Sequence, residues 1–228
     1  MDLYFSEKTI DFLAENYVHN SKTWFNEHKS DYEKYVKTPF AYLVEYLKPA
    51  MLEIDSDIIC SLRSISRIYK DIRFSKGGSL FRDSLWISLR RRRERFQCVP
   101  EFYFYAGTNG FGWGCGYYHA SAQSMESIRS LILSGDPSFR AARKAFDGLD
   151  KGYELWGESY KRDHYPEQSE DLSVWLNKKT ICISTDRTDA DLLFSEDLAE
   201  KVKNEFVKLK PVYDFYIKAE EDRISRGK

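Results

Sequence analysis

The sequence predicts a single α+β domain over residues 1–228, in which an antiparallel sheet of about five or six strands is covered by N-terminal and C-terminal helices. Apolar residues have helical spacing over residues 6–54 and again over residues 121–224. Between them, residues 58–118 alternate with a period of two and contain short turns, which favours antiparallel pairing. A chain of 228 residues is long enough to bury a sizeable core.

Capping residues and apolar stripes predict the N-terminal helices. Ser6 is a suitable N-cap for the first helix, and Asn20 opens the next cap signal. Pro39 and Pro49 interrupt the helical spacing that follows, and each lacks an N–H and clashes with the preceding turn. We therefore expect two or three helices over residues 21–54.

The middle of the chain reads as a series of strands. Short alternating runs predict strands over residues 65–73, 84–90, 101–106 and 113–118. Residues 107–110 end in Asn-Gly between two aromatic runs, which is a strong hairpin signal.

Three glycines alternate along the last of these strands. Gly112, Gly114 and Gly116 share one face, because successive side chains of a strand point to opposite sides. Two interpretations stay open for this bare face. Either an aromatic core side chain covers it, or it leaves room for the ring or chain of a ligand.

Helices return in the last part of the chain. Two are predicted between residues 121 and 148, and a short one over residues 172–176. Brief apolar runs predict strands at residues 153–157 and 180–184. The long terminal helix over residues 198–217 contains a proline that would bend it.

Composition and charge limit the possible function classes. The formal net charge is −1, so no global field draws the protein to nucleic acid or to a membrane surface. The N-terminus has no signal-peptide pattern, and no apolar run is long enough to span a bilayer. The four cysteines lie far apart without a C-x-x-C pair, which predicts reduced thiols, no zinc site and a cytoplasmic location. We expect no cofactor, and the sequence does not indicate an oligomeric state.

Basic residues, serine and glycine are most concentrated around residues 67–76. On a strand, Arg67, Asp71 and Arg73 would share one face, and two guanidinium groups around one carboxylate leave spare donors for an anion. The glycine pair at residues 77–78 permits a close backbone approach. The alternative is a structural ion-pair ladder followed by a flexible loop.

Asp71 is the best single candidate for a catalytic residue. The neighbouring Lys70 and Arg73 would keep its carboxylate ionised, which suits ion pairing or base chemistry better than acid chemistry. The sequence leaves open whether a bound molecule would also be turned over. Within this segment the expected ligand-binding residues are Arg67, Arg73, Ser75 and Lys76.

The run from Arg67 to Lys76 resembles the signature of an uncharacterised family, domain of unknown function 2461. That signature reads roughly R-x-x-R-D-x-R-F-S-K-D-K-x-P-Y-K, and six positions of this chain match it: Arg67, Asp71, Arg73, Phe74, Ser75 and Lys76. Residues 77–82 depart from it and keep only the aromatic-basic ending. Residues 24–29 and 112–129 also resemble parts of the family, but the family has no established activity to carry over.

The resemblance also extends to a basic pair at Lys161 and Arg162. These residues lie in a polar loop, so solvent exposure is the simpler interpretation. Our hypothesis is that the loop folds back and adds its charge to the Arg67–Lys76 site, because a polyanion needs donors from separate elements to be held in one orientation.

The favoured function is therefore binding of an anionic small molecule that bears a phosphate or carboxylate. The rival is a non-enzymatic interaction module that holds a protein or nucleic-acid partner through its basic residues. The arginine-rich run at residues 90–95 is either a solvated loop or a phosphate contact of such a module. A pocket with converging basic residues favours the first function, and a flat basic face favours the second.

Overall fold

The computed structural model describes residues 3–71, 79–92 and 98–226. Its five strands form one antiparallel sheet in the order β1-β2-β3-β5-β4, which confirms the predicted α+β class. The strands are β1 (Ser84–Leu89), β2 (Glu101–Gly107), β3 (Gly110–Gly116), β4 (Tyr153–Trp156) and β5 (Cys182–Arg187).

Helices precede, interrupt and follow the strands. The N-terminal ones are α1 (Glu7–His19), α2 (Lys22–Glu27), α3 (Lys29–Asp31), a π-helical turn (Tyr32–Lys37) and α4 (Thr38–Ile54), with a 3₁₀ turn at Leu62–Ser64. The later ones are α5 (Ala122–Leu133), α6 (Pro137–Asp147), α7 (Glu170–Leu176), α8 (Ala190–Leu193), α9 (Leu198–Lys208) and α10 (Lys210–Arg226). Among the described residues, none of these helices has the length and apolar character needed to cross a bilayer.

Pro39 and Pro211 divide helical stretches in line with the prediction, whereas Pro49 does not. Pro39 lies in the first turn of α4, directly after the π-helical turn, and the Tyr35 carbonyl four residues before it accepts the Thr9 hydroxyl instead of a proline N–H. Pro49 lies inside α4, and the helix continues through it, since Leu47 and Met51 on either side are fully buried and held by packing. Pro211 falls at the start of α10, where a helix tolerates it.

One predicted strand is wrong in part. Residues 65–71 form only isolated antiparallel bridges, between Ile65 and Ile87 and between Tyr69 and Phe81, rather than a regular strand. Residues 72 and 73 lie outside the described residues. Alternation alone did not reveal that the stretch makes one bridge to β1 and one to Phe81, which precedes β1.

The described chain groups into two compact units. Unit 1 consists of Met1–Leu89, Tyr103–Trp113 and Asp186–Lys203, and unit 2 of Arg90–Phe102, Gly114–Thr185 and Asn204–Lys228. The prediction of one domain stays a prediction.

Unit 1 has an aromatic core built on α1, α4 and β2. The Phe5 ring meets the Phe40 ring edge to face, with centroids 4.9 Å apart, and lies 5.6 Å from the Phe104 ring. The buried side of α1 also reaches the π-helical turn, because the Thr9 hydroxyl donates to the Tyr35 carbonyl at 2.7 Å. That carbonyl lies inside the irregular turn, where helical bonding is disturbed.

Unit 2 contains a buried carboxyl group held by two partners. Glu220 is fully buried, accepts the Tyr117 hydroxyl at 2.9 Å and accepts Arg223 Nε at 2.8 Å. The Tyr117 hydroxyl also lies 3.3 Å from the Tyr216 carbonyl. Burial, followed by the Glu220 carboxyl, raises the pKa of Tyr117 well above its usual range, so this hydroxyl keeps its proton and remains a donor.

The glycine face of β3 is not an open ligand site. Gly112, Gly114 and Gly116 are all buried. A side chain at Gly116 would collide with the backbone of Cys182 on the neighbouring strand β5. The burial of the three glycines argues against an open ligand face, and their coverage by an aromatic side chain stays a prediction.

Replacing Tyr117 by Phe should destabilise the protein, because the Tyr117→Phe change removes one donor from a buried carboxyl group. We expect a loss of about 1–3 kcal/mol in the free energy of unfolding, measured by urea denaturation. The adjacent Tyr118→Phe change is the matched control, since Tyr118 is 73% exposed. Equal stability of the two variants would contradict the role given to the Tyr117 hydroxyl.

Candidate functional site

The described part of the predicted anion site lies in unit 1. Arg67 is exposed, and Asp71 is half-buried. Arg73, Ser75 and Lys76 fall outside the described residues. Pairing of Asp71 with Arg67 or Arg73 therefore stays a prediction, as does its catalytic role.

Backbone hydrogen bonds bring a further arginine next to this segment. The Lys70 N–H donates to the Leu80 carbonyl at 2.9 Å, and the Arg82 N–H donates to the Ile68 carbonyl at 2.9 Å. Arg67, Lys70 and Arg82 thus occupy neighbouring positions on two antiparallel stretches. In the sequence, Arg82 is recognisable only as the basic residue of the aromatic-basic ending at residues 77–82.

The side chain of Arg82 has an unused donor. Its guanidinium carbon lies 4.6 Å from the centroid of the Trp86 ring, as in a cation–π contact. Its Nε is buried and has no hydrogen-bond partner among the described residues. A buried donor without a partner costs free energy, which an acceptor bound there would recover.

Asn20, at the end of α1, is hydrogen-bonded to Ser79 and Leu80, which follow the segment in the chain. It closes the helix in the left-handed conformation, with φ 48° and ψ 36°. Its Oδ1 accepts the Leu80 N–H at 2.6 Å and the Ser79 hydroxyl at 3.2 Å. The sequence predicted the cap of the next helix at Asn20-Ser21; Ser21 has that role, whereas Asn20 closes α1, and its distant partners left no sign in the sequence.

Aromatic rings join the two family-like elements of unit 1. Phe25, from the Trp-Phe element, lies 5.4 Å from the Tyr69 ring and 5.2 Å from the Phe81 ring, measured between centroids. The Lys70 ammonium lies 5.0 Å from the centroid of Tyr17. Burial, with smaller effects of Glu33 and Tyr69, raises the pKa of Tyr32 to about 12, so this ring contributes a neutral hydroxyl.

The neighbouring Trp24 lies between two histidines. Its ring stacks at 4.8 Å on His19 and at 4.1 Å on His28. The Nδ1 atom of His28 is 2.8 Å from the Trp24 carbonyl. Throughout the three described ranges, no group of three or more His, Cys, Asp or Glu side chains could hold a metal ion.

Lys161 and Arg162 lie in unit 2, where both are exposed. They belong to the loop that joins Tyr160 to Asp163, and both of those residues line a cleft of 730 Å³. The hypothesis that this loop contributes to the Arg67–Lys76 site stays a prediction.

The arginine-rich run is partly engaged within unit 2. Arg90 Nε lies 3.3 Å from a carboxylate oxygen of Glu101, and an Arg91 guanidinium nitrogen lies 3.8 Å from Glu221. Arg92 is exposed, and residues 93–95 lie outside the described residues. Two of the arginines proposed for phosphate contact are therefore occupied by internal ion pairs.

The cysteines differ in burial. Cys115 and Cys182 are buried, whereas Cys60 and Cys98 are partly exposed, and all four are free thiols. Burial raises the pKa of Cys115 well above its usual range. It also raises the pKa of Cys60 to about 11, with Lys48 opposing and Glu45 adding to the shift.

The comparison with protein families confirms the resemblance seen in the sequence. Residues 8–215 match the family described as "Conserved hypothetical protein (DUF2461)", so the chain belongs to that family. No curated protein and no solved structure matches the chain.

Substitutions at Asn20 should separate its two contributions. Asn20→Gly keeps the left-handed conformation but loses the bond to Leu80, which we expect to cost about 1 kcal/mol of unfolding free energy. Asn20→Ala loses the same bond and also replaces a residue that tolerates the left-handed region by one that does so poorly, which should cost a further 1 kcal/mol or so, about 2 kcal/mol in total. Urea denaturation measures both. An Asn20→Ala protein as stable as the wild type would refute the anchoring role.

Cysteine alkylation should follow the burial of the thiols. At pH 8 a pKa of about 11 leaves less Cys60 thiolate than in the unfolded chain, so iodoacetamide should label Cys60 at least about tenfold more slowly in the native protein. Cys115 and Cys182 should react only after unfolding, when mass spectrometry should count four adducts. Fast native labelling of either buried thiol, stoichiometric zinc, or a mass lowered by the hydrogens of a disulfide would contradict this assignment.

Proposed function

We propose that the protein binds an anionic small molecule, bearing a phosphate or a carboxylate, at the Arg67–Lys76 segment. The observation that carries the proposal is the buried Arg82 Nε without a partner, next to a segment rich in cations. An anion bound there would accept a hydrogen bond from that donor and would neutralise the basic residues around it.

The surrounding residues provide a favourable setting for such an anion. Arg67, Lys70 and Arg82 are placed on neighbouring chain positions by the two backbone bonds between the stretches. Asn20 fixes Leu80, so the chain at one end of the segment is held in place before a ligand binds. Preorganised donors bind an anion more tightly, because less conformational entropy is lost.

Asp71 has the role of orienting the basic residues and, if the anion is turned over, of accepting a proton. The neighbouring Lys70 supports an ionised carboxylate by its charge. Arg73, Ser75 and Lys76 complete the proposed ligand-binding set on the basis of the family-like run. We also propose a cytoplasmic location, supported by the four free thiols, because such thiols persist in reducing compartments.

Calorimetric titration with citrate and with inorganic phosphate tests the proposal. Arg67→Ala and Arg73→Ala should each weaken the bound anion by about tenfold or more, the effect of losing one charged hydrogen bond. Arg63→Ala is the matched control, because Arg63 is an exposed arginine outside the segment. Equal losses in all three variants, or no saturable binding of either anion by the wild type, would overturn the proposal.

A double-mutant cycle then tests the contribution of the loop at Lys161 and Arg162. If Arg162 holds the same anion as Arg73, the losses in Arg162→Ala and Arg73→Ala should be non-additive, because residues that share one ligand are coupled. Additive losses, or an affinity insensitive to Arg162, would assign the loop to another role and leave the Arg67–Lys76 site unaffected.

A further inference from the structure

The cleft in unit 2 has the size and lining of a ligand site. Its volume is 730 Å³, within the roughly 300–1,000 Å³ common for small-molecule pockets. Apolar side chains from three elements contribute to its lining: Phe146 from α6, Leu155 from β4 and Val174 from α7. Phe146 is supported from below by an edge-to-face contact with the buried Trp175, at a centroid distance of 5.7 Å.

A hydrogen-bond network fixes the polar rim of the cleft. The Asn177 amide nitrogen donates to Asp163 Oδ1 at 2.6 Å, and its oxygen accepts the His164 N–H at 2.9 Å. Asp163 also accepts the Tyr165 N–H at 2.8 Å and the Ser173 hydroxyl at 3.1 Å. These donors, the Tyr165 N–H first, lower the pKa of Asp163 and occupy both of its oxygens.

The aromatic wall of the cleft is held equally firmly. The Tyr160 ring stacks on the His164 ring at a centroid distance of 4.3 Å. The Arg129 guanidinium lies 5.4 Å from the centroid of the Tyr160 ring. Arg129 in turn donates to the carbonyls of Leu176 at 2.9 Å and Lys178 at 2.6 Å. The Tyr160 ring, which lines the cleft, is therefore held in position before a ligand binds.

Lys178 contributes a cation that forms no ion pair with the described residues, although the Glu154 carboxylate acts on it from beyond ion-pair distance. Its ammonium donates to the Gly157 carbonyl at 3.0 Å, and no carboxylate oxygen of the described chain lies within the 4.0 Å of an ion pair. An ammonium has three donors, so two remain available. Burial lowers the pKa of Lys178, with Glu154 opposing part of the shift, which agrees with a partly desolvated position.

We propose that this cleft is a second binding site, specific for an organic carboxylate with an apolar body. The carboxylate would pair with the Lys178 ammonium, and the apolar body would cover Phe146, Leu155 and Val174. A partly desolvated cation gains more from an ion pair than an exposed one does, because water screens the pair less. Lys161 and Arg162, on the loop that carries Tyr160, would add to the attraction of an anion.

Two lining residues, Asp163 and Glu170, carry the opposite charge, and hydrogen bonds within the rim already engage both oxygens of Asp163. Glu170 lines the cleft and is exposed at the first turn of α7, so it offers an amine ligand a carboxylate partner. Its exposure weakens that attraction, since surface ion pairs contribute little. Whether the site prefers an anionic or a cationic ligand therefore tests which residue, Lys178 or Glu170, determines its specificity.

Three probes of the same shape measure that preference: 4-phenylbutyrate, 4-phenylbutanol and 4-phenylbutylamine. In calorimetric or NMR titrations the wild type should bind the carboxylate about tenfold more tightly than the alcohol, and the amine most weakly. Lys178→Gln should remove the advantage of the carboxylate over the alcohol while leaving the affinity for the alcohol within about twofold. Lys151→Gln is the matched control, because Lys151 is an exposed lysine outside the cleft lining.

A second variant protects the test against misfolding. Val174→Asp changes an exposed side chain of the apolar wall, so the fold should survive, and it should weaken the carboxylate and the alcohol alike. Arg63→Ala, an exposed position in unit 1 outside both proposed sites, should leave 4-phenylbutyrate binding unchanged. No saturable binding of any probe up to 10 mM or so, a preference for the amine, or equal losses in Lys178→Gln and Lys151→Gln would overturn the proposal.

Discussion

Contacts between distant parts of the chain place the family-like run of unit 1. The Leu80 N–H reaches back sixty residues to the Asn20 amide, and Phe25 packs against Tyr69 and Phe81. Without these contacts, the basic residues around Arg67 would lie on a stretch that makes only single bridges to its neighbour. The positions of the basic residues around Arg67 therefore depend on neutral groups, namely the Asn20 amide and the three aromatic rings.

Unit 2 contains two buried carboxyl groups, Glu205 and Glu220, and each is stabilised by the same kinds of partner. Glu205 accepts the Tyr153 hydroxyl at 2.7 Å and the Lys208 ammonium at 2.9 Å, just as Glu220 accepts Tyr117 and Arg223. In both cases the cation stands three residues later on the same helix and the phenol comes from the sheet or its margin. Buried carboxyl groups without such partners destabilise a fold, so each set fixes a helix against its tyrosine.

Local signals predicted the helices and the hairpin, because caps, apolar spacing and the Asn109-Gly110 turn act over a few residues. The signals failed where distant atoms decide the outcome. The stretch at residues 65–71 alternates like a strand, yet its pairing depends on Phe81 and Ile87. No local pattern marks the π-helical turn at Tyr32–Lys37, whose formation involves Thr9 of another helix.

The candidate sites were predictable to different degrees. The run at Arg67 is contiguous, so composition and family resemblance both pointed to it. The partnerless Nε of Arg82 is a property of its surroundings, and only the structure gives those. The unit 2 cleft is assembled from residues 146 to 178 over several elements, and its cation, Lys178, has no distinguishing sequence neighbour.

The position of β4 at the end of the sheet bears on self-association. A terminal strand exposes backbone donors and acceptors to which a strand of a second molecule can add. Here the strand has only four residues, and it carries the exposed Glu154. Gly157, at φ 137°, follows at once and lies close to the Thr180 carbonyl, and the pairing resumes beyond it with a single bridge between Ser159 and Lys178. This border of the sheet is therefore interrupted at Gly157, which leaves two short lengths of edge in place of one long one.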